Sequence, residues 1–237
     1  MIGLGTIVNA AAVIAGAVFG MIFHGGLKER FQSIVMKAVG LSVLFIGISG
    51  ALENMLVVGD AGLETVGTME MILAMVLGGI LGEWIDIEKR MEQFGEFLKR
   101  KVKGKNDPLF VEGFVSASLI ICIGAMAVVG AIQDGIYQDR TMLYAKAVLD
   151  FVIVMILAST HGKGVLFSAI PLFVYQGLIT LFAQAIEPVL NDTMLQNLSI
   201  TGSVLIFGVG INIGFGKQVK VGNLLPALIF AVLFGIK

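Results

Sequence analysis

Charge is what this sequence has least of. Asp, Glu, Lys and Arg make up 14% of its 237 residues, against 57% hydrophobic ones, and the mean hydropathy is +0.95. A soluble domain carries roughly 25% charged residues, so an ordinary water-soluble globule is excluded. The single cysteine, Cys122, excludes an intrachain disulfide and a cysteine-based metal cluster, and its place in an apolar run suits a small packing residue. Two histidines in separate loops, His24 and His161, define no metal site. No HExxH, GxSxG, paired acidic motif or GxxxxGKS/T is present, so the chain asks for no catalytic residues, no metal and no cofactor, and it reads as a non-enzyme. Its basic residues form no patch interleaved with aromatics, which removes nucleic acid as a partner. The first twenty residues, "MIGLGTIVNAAAVIAGAVFG", lack a basic lead-in and read as a retained span, not a cleaved leader.

What is present is a series of apolar runs near bilayer-spanning length, with charges gathered between them. This predicts an all-α integral membrane protein. A barrel would alternate polar and apolar residues in segments of about ten. Eight spans are expected, at about 3–23, 33–52, 68–85, 112–133, 142–160, 165–186, 199–216 and 223–236. The last is short, with Pro226 near its start, and a half-length helix would fit there. Lys28 and Arg30, the run from Lys89 to Lys105, Lys163, and Lys217 with Lys220 follow the odd spans. Asp60, Glu64, Asp134, Asp139 with a lone Arg140, Glu187 and Asp192 follow the even ones. Basic loops stay cytoplasmic, so both termini are predicted outside. Within the third loop Ile87, Met91, Phe94, Leu98 and Val102 recur at helical spacing, predicting an amphipathic helix over about 86–105 with its basic face toward anionic lipid.

The spans also carry self-similarity within a single transmembrane domain, residues 1–237. Gly16 and Gly20 in "AGAVFG" align with Gly78 and Gly82 in "LGGILGEW" and with Gly210 and Gly214 in "VGINIGFG". "GALEN" at Gly50–Asn54 likewise resembles "GAIQD" at Gly130–Asp134. Parallel repeats over 1–54, 68–134 and 199–237 are the expectation. Glycines four apart let helix backbones approach closely, which matters in lipid where apolar side chains gain little by associating.

An ionisable group deep in a bilayer is costly, which singles out Asp150 halfway along span 5, with Lys146 one turn earlier on the same face. Its alternatives are a coupling carboxylate or a hydrogen-bonded group that cements the bundle. Asn9, Gln176 and Asn212 supply amides within spans 1, 6 and 7 and complete a candidate polar path. Asn212, between Gly210 and Gly214, could open backbone carbonyls where the helix is thin. Asn223 is expected to cap span 8. Glu83, beside Trp84, is expected at the wetted cytoplasmic edge of span 3 or at a cavity mouth. Ser159, Thr160 and His161 in "ASTHGKG" are expected in a polar turn on the same face, where His161 could titrate near neutrality, and His24 is expected at the interface too.

The blocks "GTIVNAAAVIAGAVFG", "GGILGEWIDIE" and "GVGINIGFGKQVKVGNLLPAL" resemble those of a bacterial membrane family catalogued as domain of unknown function 554. The resemblance implies a multi-pass protein of the bacterial inner membrane, described among transporters, with no residue roles to carry over. The expected function is a secondary transporter or channel for a small solute or ion, surrounded by membrane lipids and compatible with a homo-oligomer. The alternative is a non-transporting scaffold or regulatory subunit that docks a partner through its glycine faces.

Overall fold

The computed structural model describes residues 2–23, 29–59, 62–101, 108–122, 125–186, 188 and 190–236. His24, Lys28, Asp60, Glu187 and the end of the amphipathic segment, with Lys103 and Lys105, lie outside the described residues. The chain is an all-α membrane protein with helices α1 (Leu4–Phe23), α2 (Glu29–Met55), α3 (Thr68–Ile85), α4 (Ile87–Lys101), α5 (Phe110–Cys122), α6 (Ala125–Ile136) and α7 (Thr141–His161). A 3₁₀ helix, Gly162–Ser168, then leads to α8 (Ala169–Leu181), α9 (Ala183–Ile186), α10 (Asp192–Phe215), α11 (Val221–Leu224) and α12 (Ala227–Leu233).

Among the described residues, 5 helical runs are long and apolar enough to cross a membrane, or up to 6 if α5 and α6, bent by 61°, count as one. This is fewer than the eight expected, for physical reasons. Thr141–Leu181 is a 41-residue run holding two expected spans. Val221–Leu233, interrupted at Leu225–Pro226, is too short to cross even when taken as one helix. The loop after α2 also carries structure that its composition did not announce. Strands β1 (Leu56–Gly59) and β2 (Gly62–Thr65) form an antiparallel hairpin with Leu56 opposite Thr65.

The chain divides into two compact units, the first holding Met1–Val39, Met91–Cys122 and Met126–Val189, the second Gly40–Arg90, Ile123–Ala125 and Leu190–Lys237. In the first unit α1 and α7 run parallel and almost touch. A Cβ on Gly16 would lie 2.5 Å from the Phe151 carbonyl oxygen, and one on Gly20 2.1 Å from that of Met155. The 3₁₀ helix turns the chain back, so that α8 returns antiparallel to α1 and sets Gln176 beside Asn9 and Thr180 beside Thr6. Val13, Ala17, Val154, Leu157 and Leu172, all at 0% exposure, fill the three-helix seam. The basic helix α4 is present as expected, and its Leu98 packs with Phe110 and Phe114 of α5.

In the second unit the close approaches are antiparallel. A Cβ on Gly78 would meet the Ala227 nitrogen at 2.2 Å, and one on Gly82 the Asn223 oxygen at 1.8 Å, joining α3 to the segment of α11 and α12. Along α10, a Cβ on Gly210 would meet the Leu44 nitrogen at 2.6 Å, and Gly214 faces Gly40 of α2. All three aligned glycine pairs therefore sit at close approaches, but α1 meets a parallel neighbour while α3 and α10 meet antiparallel ones. Their shared sequence is a shared packing device set in unlike surroundings.

Candidate functional site

The first unit buries a layered polar cluster among apolar helices. Asp150, nine residues after Thr141, lies about 13 Å along α7, near the middle of a hydrocarbon layer of about 30 Å. Its carboxylate accepts two hydrogen bonds from the Lys146 ammonium, at 2.9 and 2.8 Å, and both residues are buried. Spacing alone brings this pair together, because residues four apart on a helix are neighbours. The Asn9 side chain, from α1, lies beside the same carboxylate and interacts with it. Its Nδ2 also donates to Gln176 Oε1 at 3.3 Å, so three helices converge on one point.

Two atoms of this cluster have no partner. Asn9 Oδ1 and Gln176 Nε2 are buried without a hydrogen bond, although both residues are at 0% exposure. An orphaned buried polar atom costs about 1–3 kcal/mol, so a fold that keeps two in contact with an ion pair holds them against stability. One helical turn toward the start of α1, the Thr6 and Thr180 hydroxyls face each other at 3.4 Å. Asp134 then closes this end. It is fully buried, accepts the Gly5 amide at 3.0 Å in the first turn of α1, and pairs with Arg140 Nε at 3.1 Å. Nearby, Asp139 accepts the Thr141 backbone amide, which holds its carboxyl below the usual range.

At the far end of α7, His161 is at 1% exposure, within hydrogen-bond distance of Thr160 Oγ1 at 3.1 Å, and its Nε2 lies 3.9 Å from a Glu112 carboxylate oxygen. The expected surface turn over Ser159, Thr160 and His161 is therefore corrected. The glycines of "HGKG" admit a tight 3₁₀ helix packed on α5, where a Cβ on Gly164 would meet the Phe110 oxygen at 1.8 Å. The Ser159 and Thr160 hydroxyls bond back to the Ile156 and Leu157 carbonyls, at 2.7 and 2.9 Å.

The second unit holds a different polar arrangement. Glu83, with a side chain 58% exposed, accepts from Lys220 and from Asn223 Nδ2, the latter at 2.7 Å. That hydrogen bond to Glu83 raises the Lys220 ammonium above the ordinary lysine range. Asn223 does not cap its own helix. Its Oδ1 accepts the Glu88 amide at 2.7 Å and caps α4 instead, because α4 begins where α3 ends, beside it. Glu88, at 5% exposure, accepts in turn from the Gly222 amide at 3.0 Å and pairs with Lys217 at 2.7 Å. Asn212 is likewise corrected. Rather than opening backbone carbonyls, its amide accepts from Gln218 and Val219 at 2.9 and 3.0 Å and donates to the Val219 oxygen at 2.7 Å, pinning the turn after α10.

Of the four candidate path residues, Asp150, Asn9 and Gln176 thus meet in the first unit, while Asn212 belongs to the second and is locally satisfied. The sequence reading missed Thr6, Thr180, Asp134 and Glu88. The hydroxyls are too common in membrane helices to stand out. Asp134 passed as a loop charge because α6 carries two carboxamide or carboxylate side chains in its last turn. Glu88 could have been noticed as an acid on the apolar face of an amphipathic helix.

The family profile described as "Protein of unknown function (DUF554)" matches residues 4–236. The chain is 33% identical to the "Uncharacterized membrane protein YdfK" of Bacillus subtilis (strain 168), over 95% of this chain and 92% of that protein. It is 30% identical to the "Uncharacterized protein YqgA" of Escherichia coli (strain K12), over 97% and 94% respectively. No solved structure matches it.

Proposed function

We propose, on the premise that this chain belongs to the DUF554 family, that it is a secondary transporter or channel for a small solute of the bacterial inner membrane, with both termini outside. The observation that carries this reading is the pair of orphaned amide atoms beside the Lys146–Asp150 ion pair. The ion pair alone would serve a closed scaffold equally well. Open hydrogen-bonding capacity next to it suits a group that arrives and leaves. An intramembrane ionisable residue is by default a functional hypothesis, since its burial is otherwise hard to justify. Asp150 and Lys146 would form the charged centre, with Asn9 and Gln176 the adaptable contacts and Thr6 and Thr180 the approach. Coupling would come from an ion gradient, and the basic loops, which ordinarily stay cytoplasmic, support that orientation.

The test is flux into proteoliposomes for wild type and Asp150→Asn, screening small ions, carboxylates and neutral polar solutes under an imposed pH gradient. The expected result is flux in the wild type and its loss in a variant that still folds. Equal flux in both would remove Asp150 from the path. Absence of flux for every solute would turn the assignment to the scaffold.

A further inference from the structure

We infer that the solute recognised at the Lys146–Asp150 centre is a small zwitterion of the amino-acid class, one ammonium and one carboxylate on a short carbon frame. This rests on the transporter reading above and names its substrate class. The first ground is charge balance. Lys146 and Asp150 cancel, as do Arg140 and Asp134, so the cluster is neutral as a whole. A solute with net charge would bring an uncompensated charge into a region of low dielectric, which is strongly disfavoured. A bare cation at Asp150 would leave Lys146 unpaired, and a bare anion at Lys146 would leave Asp150 unpaired. A zwitterion inserts between them and leaves neither alone.

The second ground is the pair of orphaned atoms. Asn9 Oδ1 can only accept and Gln176 Nε2 can only donate. Exchanging the oxygen and nitrogen of both amides again leaves one open donor and one open acceptor. That complement matches an ammonium, which donates, and a carboxylate, which accepts. The solute ammonium would donate to Asp150 and to the open acceptor of the Asn9–Gln176 pair. Its carboxylate would accept from the Lys146 ammonium and the open donor. Every buried polar atom of the centre would then be satisfied, as buried polar groups ordinarily are.

The experiment is thermal unfolding of the purified full chain in detergent, with glycine and L-alanine as probes beside methylammonium and acetate, which each carry one half of the zwitterion. Glycine or alanine is expected to raise the melting temperature saturably, while methylammonium and acetate, alone or mixed, do not. The double variant Lys146→Gln with Asp150→Asn removes both charges while keeping hydrogen-bonding groups. It is expected to fold and to bind the probe roughly tenfold more weakly or worse, because charge-assisted hydrogen bonds are lost. Protection by methylammonium or acetate alone would overturn the class while leaving a solute site. Undiminished protection of the double variant would overturn the role of the charges. No protection by either amino acid, with flux of some other solute still lost in Asp150→Asn, would overturn the class and spare the transporter reading. No protection together with no flux would overturn both.

Discussion

Each unit of the molecule has a polar knot built from lysine, carboxylate and carboxamide, and the two are constructed on opposite principles. Around Glu83 and Glu88 the polar groups are paired, Glu83, Lys217 and Lys220 are exposed while Glu88 is buried, and two of the contacts hold backbone amides, that of Glu88 at the start of α4 and that of Gly222 in α11. Around Asp150, the charges are almost fully buried, two amide atoms are open, and the contacts join side chains only, Lys146 to Asp150 along α7 and Asn9 to Gln176 between α1 and α8. The same residue types therefore form a fully bonded clamp in one place and a cluster with open hydrogen-bonding capacity in the other. Residue identity does not separate the two; satisfaction and burial do.

The largest effect should come from splitting the buried pair. Lys146→Met leaves a buried carboxylate without its cation and should cost about 3–5 kcal/mol, largely recovered when Asp150→Leu is added, as read by melting in detergent. A single variant that melts like wild type would mean the pair is hydrated. Next come the glycines, which ought to behave alike in both units. Gly20→Ala and Gly82→Ala each drive a Cβ into a neighbouring carbonyl oxygen and should each cost about 1–3 kcal/mol. A large difference between them would show that one of the helix pairs can move apart.

The carboxamides should divide the two knots. Asn223→Ala removes a helix cap and a bond to Glu83, for about 1–2 kcal/mol. Gln176→Leu should change stability by less than about 1 kcal/mol, since it also removes an orphaned atom, yet it should sharply reduce flux. The reverse pattern would break the comparison. The smallest effect concerns pH. Because Lys220 is raised in the folded state, its pairing with Glu83 contributes fully below the unfolded lysine value of about 10.4 and fades as pH rises through the raised one. Lys220→Met should abolish that alkaline loss of stability, and added salt should weaken it in the wild type.

Much of the fold was legible because lipid permits few solutions: an apolar run must be a helix, as in α1, α3 and α7, whose ends fall within a residue or two of the expected ones. The Lys146–Asp150 pair was legible for a similar reason, since helical spacing alone makes those residues neighbours. Long-range relations were not. Nothing local says that Asn9 will meet Gln176, 167 positions away, or that Asn223 will cap a helix 135 positions earlier. The 3₁₀ turn after His161 was hidden because a glycine-rich loop reads the same whether it faces water or a helix, and only the contact with Phe110 decides. The hairpin after α2 lacked the Asn-Gly or Asp-Gly signature that usually announces one.

The pairing of α1 with late elements has a consequence in time. Gly5 waits for Asp134, 129 positions later, and Asn9 for Gln176, 167 positions later. At about 5–20 residues per second, α1 spends on the order of 10–30 s in the membrane before its proper neighbours are synthesised. Throughout that interval its two polar residues and its exposed glycine stripe are open to any other helix within reach. Biogenesis, more than the finished fold, is where this chain is most vulnerable to a wrong partner.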